Sequence, residues 1–253
     1  MRPIAFFDVD GTLVAGTTMR EFLRFRLGTA AAEQRWRELR GDGAGRAEAN
    51  RRYFRLYAGT RWAELMSEGR RWYDTWSRRP DGYVSGGLGA LRRHRAHGHA
   101  VVLVSGSFLP CLLPIAEHLG ADAVLCTEPE TDGGGVLTGT AQPMIGRAKA
   151  VAAQRLAADW HVPAGHCFAY GDHASDLDLL GAVGHPAVVG DDPDLLRLAA
   201  RYGWPRLPAQ PVAAPDPCYC GCAVAAWSMP TVEIHPPAGH GAPPRNARTK
   251  EAS

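Results

Sequence analysis

The sequence predicts an α/β fold in which a doubly wound parallel sheet carries an all-helical segment inserted after its first strand. Apolar runs of strand length occur at residues 4–7, 100–104, 123–126, 167–170 and 187–189. Uninterrupted apolarity is typical of strands covered on both faces, as in parallel sheets. Helical patterns alternate with the later runs, which indicates a doubly wound arrangement. Helical spacing alone fills residues 15–97, so the insert is expected to be all-helical.

The first apolar run leads directly into Asp8-Val9-Asp10-Gly11-Thr12. Side chains alternate along an extended chain, so Asp8 and Asp10 are expected on the same side of the strand end. Carboxylates held this close repel each other unless a cation or the chemistry of a bound anion requires them. Mg2+ suits such a site, because it binds one or two carboxylates and keeps water or phosphate oxygens as its other ligands. Taken alone, the motif also fits an acidic turn or part of a calcium loop.

Three later segments place polar groups in similar positions. The second strand ends in Ser105-Gly106-Ser107 before a helix, and the free N–H groups of a helix N-terminus bind phosphate. Lys149, one of only two lysines, falls in the first turn of a helix predicted from residue 146. Asp172 and Asp176 follow a further buried strand. Ligands gather at the carboxyl ends of strands in open α/β sheets, so these groups are expected to form one site.

In this order and context, the segments resemble the four motifs of the haloacid dehalogenase-like superfamily, over residues 4 to about 204. The position of the helical insert resembles the subgroup that contains the phosphoserine phosphatases. The resemblance implies catalytic roles for Asp8 as nucleophile, Asp10 as general acid and base, Ser105 as phosphate ligand with Gly106, and Lys149 as neutralising cation. It also implies Mg2+ bound by Asp8, the Asp10 backbone carbonyl, Asp172 and Asp176. Dehalogenases of the superfamily lack the second aspartate, so Asp10 favours phosphate ester cleavage.

The implied activity is that of a Mg2+-dependent phosphatase acting on a small phosphorylated metabolite through an aspartyl-phosphate. A phosphotransferase with the same intermediate, or a catalytically silent protein that binds a phosphorylated ligand, are the alternatives. Phosphoserine phosphatases hold the substrate ammonium with an acidic residue nine positions after the nucleophile, where this chain has Thr17, with Glu21 one turn later. Arg52 and Arg55 are candidates for holding the substrate, with a solvated helix face as the other interpretation. The sequence therefore predicts a phosphomonoester without specifying phosphoserine.

The expected domains are a catalytic core of residues 1–14 and 98–204, a helical cap of residues 15–97, and a proline-rich, flexible tail of residues 205–253. Residues 15–100 contain 18 arginines and 9 acidic residues, which fits either a basic lid over an acidic site or solvated helix faces. The predicted core of the cap includes Trp36, Trp62, Trp72 and Trp76. The tail contains Cys218, Cys220 and Cys222, with His235 and His240 downstream. These residues could bind a soft metal such as zinc, or the cysteines could be exposed thiols of a flexible tail.

Composition excludes several functional classes. A net charge of +2 argues against a general nucleic-acid binder. No stretch of about 18 uncharged apolar residues is present, so no membrane span is predicted. The first strand begins within a few residues of Met1, which leaves no room for a signal peptide and predicts a cytoplasmic protein. Cys111, Cys126 and Cys167 lie in apolar runs and are expected to be small core residues.

Overall fold

A computed structural model of the chain describes residues 2–217, so the candidate metal-binding residues of the tail, Cys218, Cys220, Cys222, His235 and His240, lie outside the described residues. The strands are β1 (Ile4–Phe7), β2 (Tyr83–Val84), β3 (Ala100–Ser105), β4 (Ala123–Cys126), β5 (Glu128–Thr131), β6 (Leu137–Gln142), β7 (Cys167–Gly171), β8 (His185–Val189), β9 (Arg206–Leu207) and β10 (Pro211–Val212). The helices are α1 (Thr18–Leu27), α2 (Thr29–Arg40), α3 (Arg46–Arg55), α4 (Trp62–Trp76), α5 (Ser85–Ala96), α6 (Leu109–Leu119), α7 (Arg147–Asp159), α8 (Leu177–Gly181) and α9 (Pro193–Tyr202).

Six parallel strands form the central sheet in the order β4-β3-β1-β7-β8-β9. Strand β1 lies in the middle, with Ile4 paired to Ala100 on one side and to Cys167 on the other. Alternate side chains of β1 enter different clusters, because successive residues of a strand point to opposite faces. Ile4 belongs to the cluster that includes residues of α7, α8 and α9, whereas Phe7 belongs to the one that includes residues of α5 and α6. The predicted doubly wound fold is confirmed.

The four helices α1–α4, called the cap helices below, lie between β1 and β2 in the chain and join the same hydrophobic cluster as α5 and α6. Phe108, immediately before α6, is fully buried at their junction. Its ring packs edge to face against two rings of the cap helices. The ring centroids are 5.7 Å apart for Phe22 of α1 and 5.4 Å apart for Phe54 of α3. Aromatic pairs of this geometry contribute beyond the area they bury. The cap helices are therefore anchored next to the end of β3.

The structure differs from the sequence expectations in two segments of the chain. The segment expected to be all-helical contains this short strand, and the tail expected to be flexible from residue 205 continues as β9 and β10. Strand β9 extends the parallel sheet beside β8, and β10 pairs with β2. The Val188 N–H donates to the Pro205 carbonyl at 2.9 Å, and the Gly190 N–H donates to the Leu207 carbonyl at 3.0 Å. Backbone hydrogen bonds to distant strands order this proline-rich segment, and proline is tolerated because the strands are short and at an edge.

Two compositional expectations can be compared with the described residues. Cys111, Cys126 and Cys167 are buried and carry free thiols, which confirms that they are core residues. Between residues 2 and 217, the helices are all too short or too polar to cross a membrane.

We expect Gly86→Ala to lower the free energy of unfolding by about 1–3 kcal/mol, because overpacking a tight contact costs this much. A Cβ on Gly86 would lie 2.2 Å from the Pro208 carbonyl oxygen, where the segment after residue 205 crosses the start of α5. The matched control is Gly89→Ala in the same helix, where a Cβ would meet only the Arg93 Nη1 atom at 3.5 Å. The control should be neutral or stabilising by roughly 0.5–1 kcal/mol. Urea denaturation of the two variants checks this, and equal effects would contradict the observed docking.

Candidate active site

The turn after β1 brings two aspartates from different strands together. The Asp8 N–H donates to the Tyr170 carbonyl at 2.9 Å, so pairing between β1 and β7 continues up to the first aspartate. Gly11 has a φ of 90°, and a Cβ there would lie 2.1 Å from the Asp172 Oδ2 atom. Only glycine allows this conformation and this approach without strain. The Thr12 hydroxyl also donates to the Asp172 Oδ1 atom at 3.2 Å, which fixes that carboxyl beside the turn.

Lys149 binds two of the predicted acids at once. Its Nζ atom donates to the Asp8 Oδ1 atom at 2.5 Å and to the Asp176 Oδ1 atom at 2.7 Å. All three side chains are buried. Burial alone would lower the pKa of the ammonium, but the negative charges of Asp8 and Asp176 outweigh it and raise this pKa. The third residue of α7 therefore supplies a permanent positive charge at the meeting point of β1 and β7.

The carboxyl groups of Asp8, Asp172 and Asp176 form one cluster. Each offers an oxygen, and these oxygens all lie within 4.8 Å of one another. Burial raises the pKa of Asp8, although Lys149 opposes the shift. Burial, together with the charges of Asp8 and Asp176, raises the pKa of Asp172 to about 8. With all three carboxyls ionised, the cluster would therefore hold more negative charge than Lys149 neutralises.

These residues fit a divalent cation. Hard cations such as Mg2+ prefer carboxylate oxygens, and a second positive charge would relieve the repulsion that burial intensifies. Asp8, Asp172 and Asp176 would hold the ion. The Asp10 side chain is not part of this cluster. Any contribution of Asp10 to the metal would come from its backbone carbonyl, as the family resemblance implies.

The Asp10 carboxyl lies at the start of the first cap helix. Its Oδ1 atom accepts a hydrogen bond from the Thr18 N–H at 2.9 Å, which satisfies one of the free donors at the N-terminus of α1. Burial raises the pKa of Asp10 to about 7, although this hydrogen bond opposes the shift. A carboxyl that titrates near neutrality can both donate and accept a proton, which is the property of a general acid and base.

The loop after β3 has the donors needed to bind an anion. The Ser107 N–H donates to the Ser105 Oγ atom at 3.1 Å, so the hydrogen of the Ser105 hydroxyl is free to donate elsewhere. The Gly106 carbonyl accepts from the Asn50 Nδ2 atom at 2.7 Å and from the Thr127 hydroxyl at 2.8 Å. These two bonds fix the position of the loop and satisfy the Gly106 carbonyl oxygen.

A cavity of about 380 Å³ lies between these residues and the cap helices. It is lined by Asp8, Asp10, Ser105, Gly106, Lys149 and Asp172 on one side. Residues of α1, α2 and α3 and their connections line the other side: Thr17, Met19, Trp36, Leu39, Arg40, Ala44, Arg46, Ala49, Asn50 and Tyr53. The structure thus brings Asp8, Asp10, Asp172, Ser105, Gly106 and Lys149 together around this cavity. Asp176 joins them through its hydrogen bond with Lys149.

Arg52 and Arg55, the two cap arginines considered from sequence, do not line the cavity. Both lie on the outer side of α3, where they form ion pairs with Glu48 at 3.3 and 3.8 Å. The physical reason is helical phase: the cavity side of α3 carries Arg46, Ala49, Asn50 and Tyr53, spaced by three and four residues. The side chains of Arg52 and Arg55 point away from these residues. They belong to a solvated helix face, which was the other interpretation of the sequence.

Several cavity residues were not identified from sequence. Trp36 was predicted to be core, but it is only partly buried and lines the cavity. Asn50 is buried, with its Oδ1 atom lacking a hydrogen-bond partner. The signal for Asn50 was available, because a polar residue next to the apolar Ala49 and Tyr53 on the inner side of an amphipathic helix indicates a specific partner.

A family model described as haloacid dehalogenase-like hydrolase matches residues 5–181. The chain belongs to this family. Over 127 residues, this chain is 38% identical to a probable phosphatase of Mycobacterium tuberculosis, covering 50% of this chain but only 44% of that protein. Over 214 residues it is 29% identical to a phosphoserine phosphatase of the same organism, covering 79% of this chain and 68% of the relative. The resemblance inferred from the motifs is confirmed for the family.

Solved structures show the same fold. A protein of unknown function from Bordetella pertussis has a TM-score of 0.70 at 25% identity, covering 81% of the present chain and 98% of that protein. A substrate-bound phosphoserine phosphatase has a TM-score of 0.57 at 19% identity, covering 80% of the present chain and 98% of that protein. At this identity the second comparison concerns the fold alone.

We expect Asp172→Asn to stabilise the metal-free protein. The carboxyl keeps its proton in the folded state up to about pH 8, whereas its ordinary pKa is 3.8. Between these values the folded state binds more protons than the unfolded state, so stability falls as the pH rises through this window. The variant should lack this loss and be more stable than the native protein at pH 8 by at least about 1 kcal/mol.

The measurement is urea denaturation in EDTA at pH 5 and pH 8, with exposed Asp191→Asn as the control. Mg2+ should stabilise Asp172→Asn less than it stabilises the native protein and the control, because one of the three carboxyl groups that would hold the ion is lost. A variant that gains as much stability from Mg2+ as the native protein would contradict the assignment of this carboxyl to the metal site.

Proposed function

We propose that this hydrolase is a Mg2+-dependent phosphatase that cleaves a small phosphomonoester through a phosphorylated Asp8. The observation that carries the proposal is the bridge that Lys149 forms between Asp8 and Asp176 beside a loop with a free serine hydroxyl donor. Phosphoryl transfer is catalysed mainly by positioning the reactants and neutralising their charge. Lys149 and the serine hydroxyl are suited to both tasks. Phosphatases among the relatives support the same activity.

In the first step, an Asp8 carboxylate oxygen attacks phosphorus and the bond from phosphorus to the ester oxygen breaks. Asp10 donates its proton to the departing alkoxide. Its raised pKa of about 7 supports this role, because a share of the enzyme then carries the proton at neutral pH. Ser105 and the Gly106 N–H would hold two phosphate oxygens during the transfer.

In the second step, water attacks the phosphorus of the aspartyl-phosphate and the bond to the Asp8 oxygen breaks. Asp10, now a carboxylate, takes a proton from this water and so returns to its starting state. Inorganic phosphate leaves, and Asp8 is again bound to Lys149. The same carboxyl thus serves as acid and then as base.

Charge balance depends on Lys149 and on the metal. Lys149 holds Asp8 in place and neutralises part of the charge of the transferring phosphoryl group. Mg2+, held by Asp8, Asp172 and Asp176, would supply the further positive charge that lets the Asp8 carboxylate approach an anionic phosphate. The volume of the cavity, about 380 Å³, supports a small-molecule substrate.

The direct test is phosphate release from a panel of small phosphomonoesters, with Mg2+ or with EDTA. We expect turnover only with Mg2+, and we expect Asp8→Asn to abolish it while Mg2+ still binds, because Asp172 and Asp176 remain. Turnover that survives in Asp8→Asn would overturn the proposed nucleophile. A folded, Mg2+-bound protein without turnover on any ester would instead favour a binding role.

The role of Asp10 has a separate test that depends on the leaving group. Asp10→Asn should slow the cleavage of an alkyl phosphate by about 10²- to 10⁴-fold, because its alkoxide needs a proton. Formation of the aspartyl-phosphate from 4-nitrophenyl phosphate should slow by no more than about tenfold, since nitrophenolate leaves without one. A burst of nitrophenol under rapid mixing measures this first step separately from hydrolysis. Equal slowing for both leaving groups would argue against a general acid.

A further inference from the structure

The charges around the cavity are segregated. Among the described residues that line it, the only carboxyl groups are Asp8, Asp10 and Asp172, and all three belong to the proposed reaction site. On the side of the cap helices the charged residues are Arg40 and Arg46. A substrate bound with its phosphate at Asp8 therefore places the other end of its leaving group near positive charge.

No carboxylate among the described residues on that side of the cavity is available to pair with an ammonium. Thr17 lines the cavity and carries no charge. Glu21, one helical turn further, does not line it. The two oxygens of Glu21 are used by Arg24 at 2.5 Å and Arg79 at 3.0 Å. An amine on the leaving group would lose its hydration without gaining a carboxylate, which is unfavourable.

Arg40 and Arg46 both line the cavity. Arg40 is the last residue of α2 and Arg46 the first residue of α3. Neither pairs with a carboxylate among the side chains that the structure describes, in contrast to Arg51, Arg52 and Arg55 of the same cap. Within the described part of the chain, the hydrogen bond of the Arg46 guanidinium is to the Ser175 hydroxyl, at 3.0 Å. A weak neutral partner is easily displaced by an anion, because hydrogen bonds between ionised groups are the stronger ones.

The rest of the cavity wall on the side of the cap helices is largely apolar. It includes the side chains of Met19, Trp36, Leu39, Ala49 and Tyr53. Such a surface favours hydrocarbon or aromatic groups over strongly hydrated ones.

We propose that this hydrolase selects phosphomonoesters whose leaving group has an apolar body and carries an anion at the end remote from the phosphate. Arg46 is the main group that binds this anion. The inference rests on the proposed phosphatase activity and goes beyond it, because it names the substrate class. An ester with an ammonium at the far end is disfavoured.

The experiment compares three aryl phosphates that share one ring: phenyl phosphate, 4-carboxyphenyl phosphate and 4-(aminomethyl)phenyl phosphate. The value of kcat/KM should rise roughly fivefold from phenyl to carboxyphenyl and fall by a similar factor for aminomethylphenyl, as expected for one partly exposed charge pair. Arg46→Ala should bring carboxyphenyl phosphate to the level of phenyl phosphate, and Arg46→Lys should keep part of the preference. Arg52→Ala, on the outer side of the same helix, is the matched control and should leave all three values unchanged.

Isothermal titration of the Mg2+-bound protein with the three corresponding non-hydrolysable arylphosphonates gives a readout that does not need turnover. The same order of affinities, lost in Arg46→Ala, would support the inference. Equal or reversed preferences with normal turnover would overturn the substrate class and leave the phosphatase activity standing. Absence of turnover on all esters would overturn the proposed function itself, and the phosphonate affinities would then still decide what the cavity binds.

Discussion

The buried Lys149 ammonium, shared by Asp8 and Asp176, is the interaction on which the site depends. Burying one of these charges alone would be costly, and removing one partner of a buried ion pair typically costs about 3–5 kcal/mol. The parallel sheet makes the arrangement possible, because β1 and β7 end side by side and α7 begins beside them. Burial, together with the charges of Asp8 and Asp176 that one ammonium does not fully neutralise, raises the pKa of Asp172. The unneutralised negative charge is what makes a cation a fitting partner, and a bound cation would in turn attract a phosphate.

The cap helices and the reaction site are joined by polar contacts as well as by packing. The Thr18 N–H binds Asp10 at 2.9 Å, and the Thr18 hydroxyl donates to the Ser107 hydroxyl at 2.8 Å. Asn50 binds the Gly106 carbonyl from α3. The proposed general acid and the phosphate-binding loop therefore both depend on where the cap helices lie. This coupling fixes the cap side of the cavity relative to Asp8 and Asp10, which is what the proposed selection of substrates by the cap would require.

The sequence was sufficient for the fold and for one side of the site. Apolar runs followed by acids or glycine-serine turns located Asp8, Ser105 and Asp172, because strand ends in a parallel sheet converge. The cap side of the cavity depends on which face of each helix packs inward. The residue pattern of a short arginine-rich helix such as α3 does not determine that face. Arg52 and Arg55 were candidates for this reason, whereas the cavity is lined by Arg46. Likewise, the order of residues 205–212 comes from hydrogen bonds to remote strands, and composition cannot reveal these.

The central claim is that Asp8 carries the phosphoryl group. The most direct measurement is to quench the enzyme in acid during turnover, reduce it with borohydride, and locate the product by peptide mass spectrometry. Borohydride converts an aspartyl-phosphate to homoserine, so the account predicts homoserine at residue 8, dependent on substrate and on Mg2+. Homoserine at another aspartate, or steady phosphate release with residue 8 unmodified under conditions that trap acyl-phosphates, would contradict it.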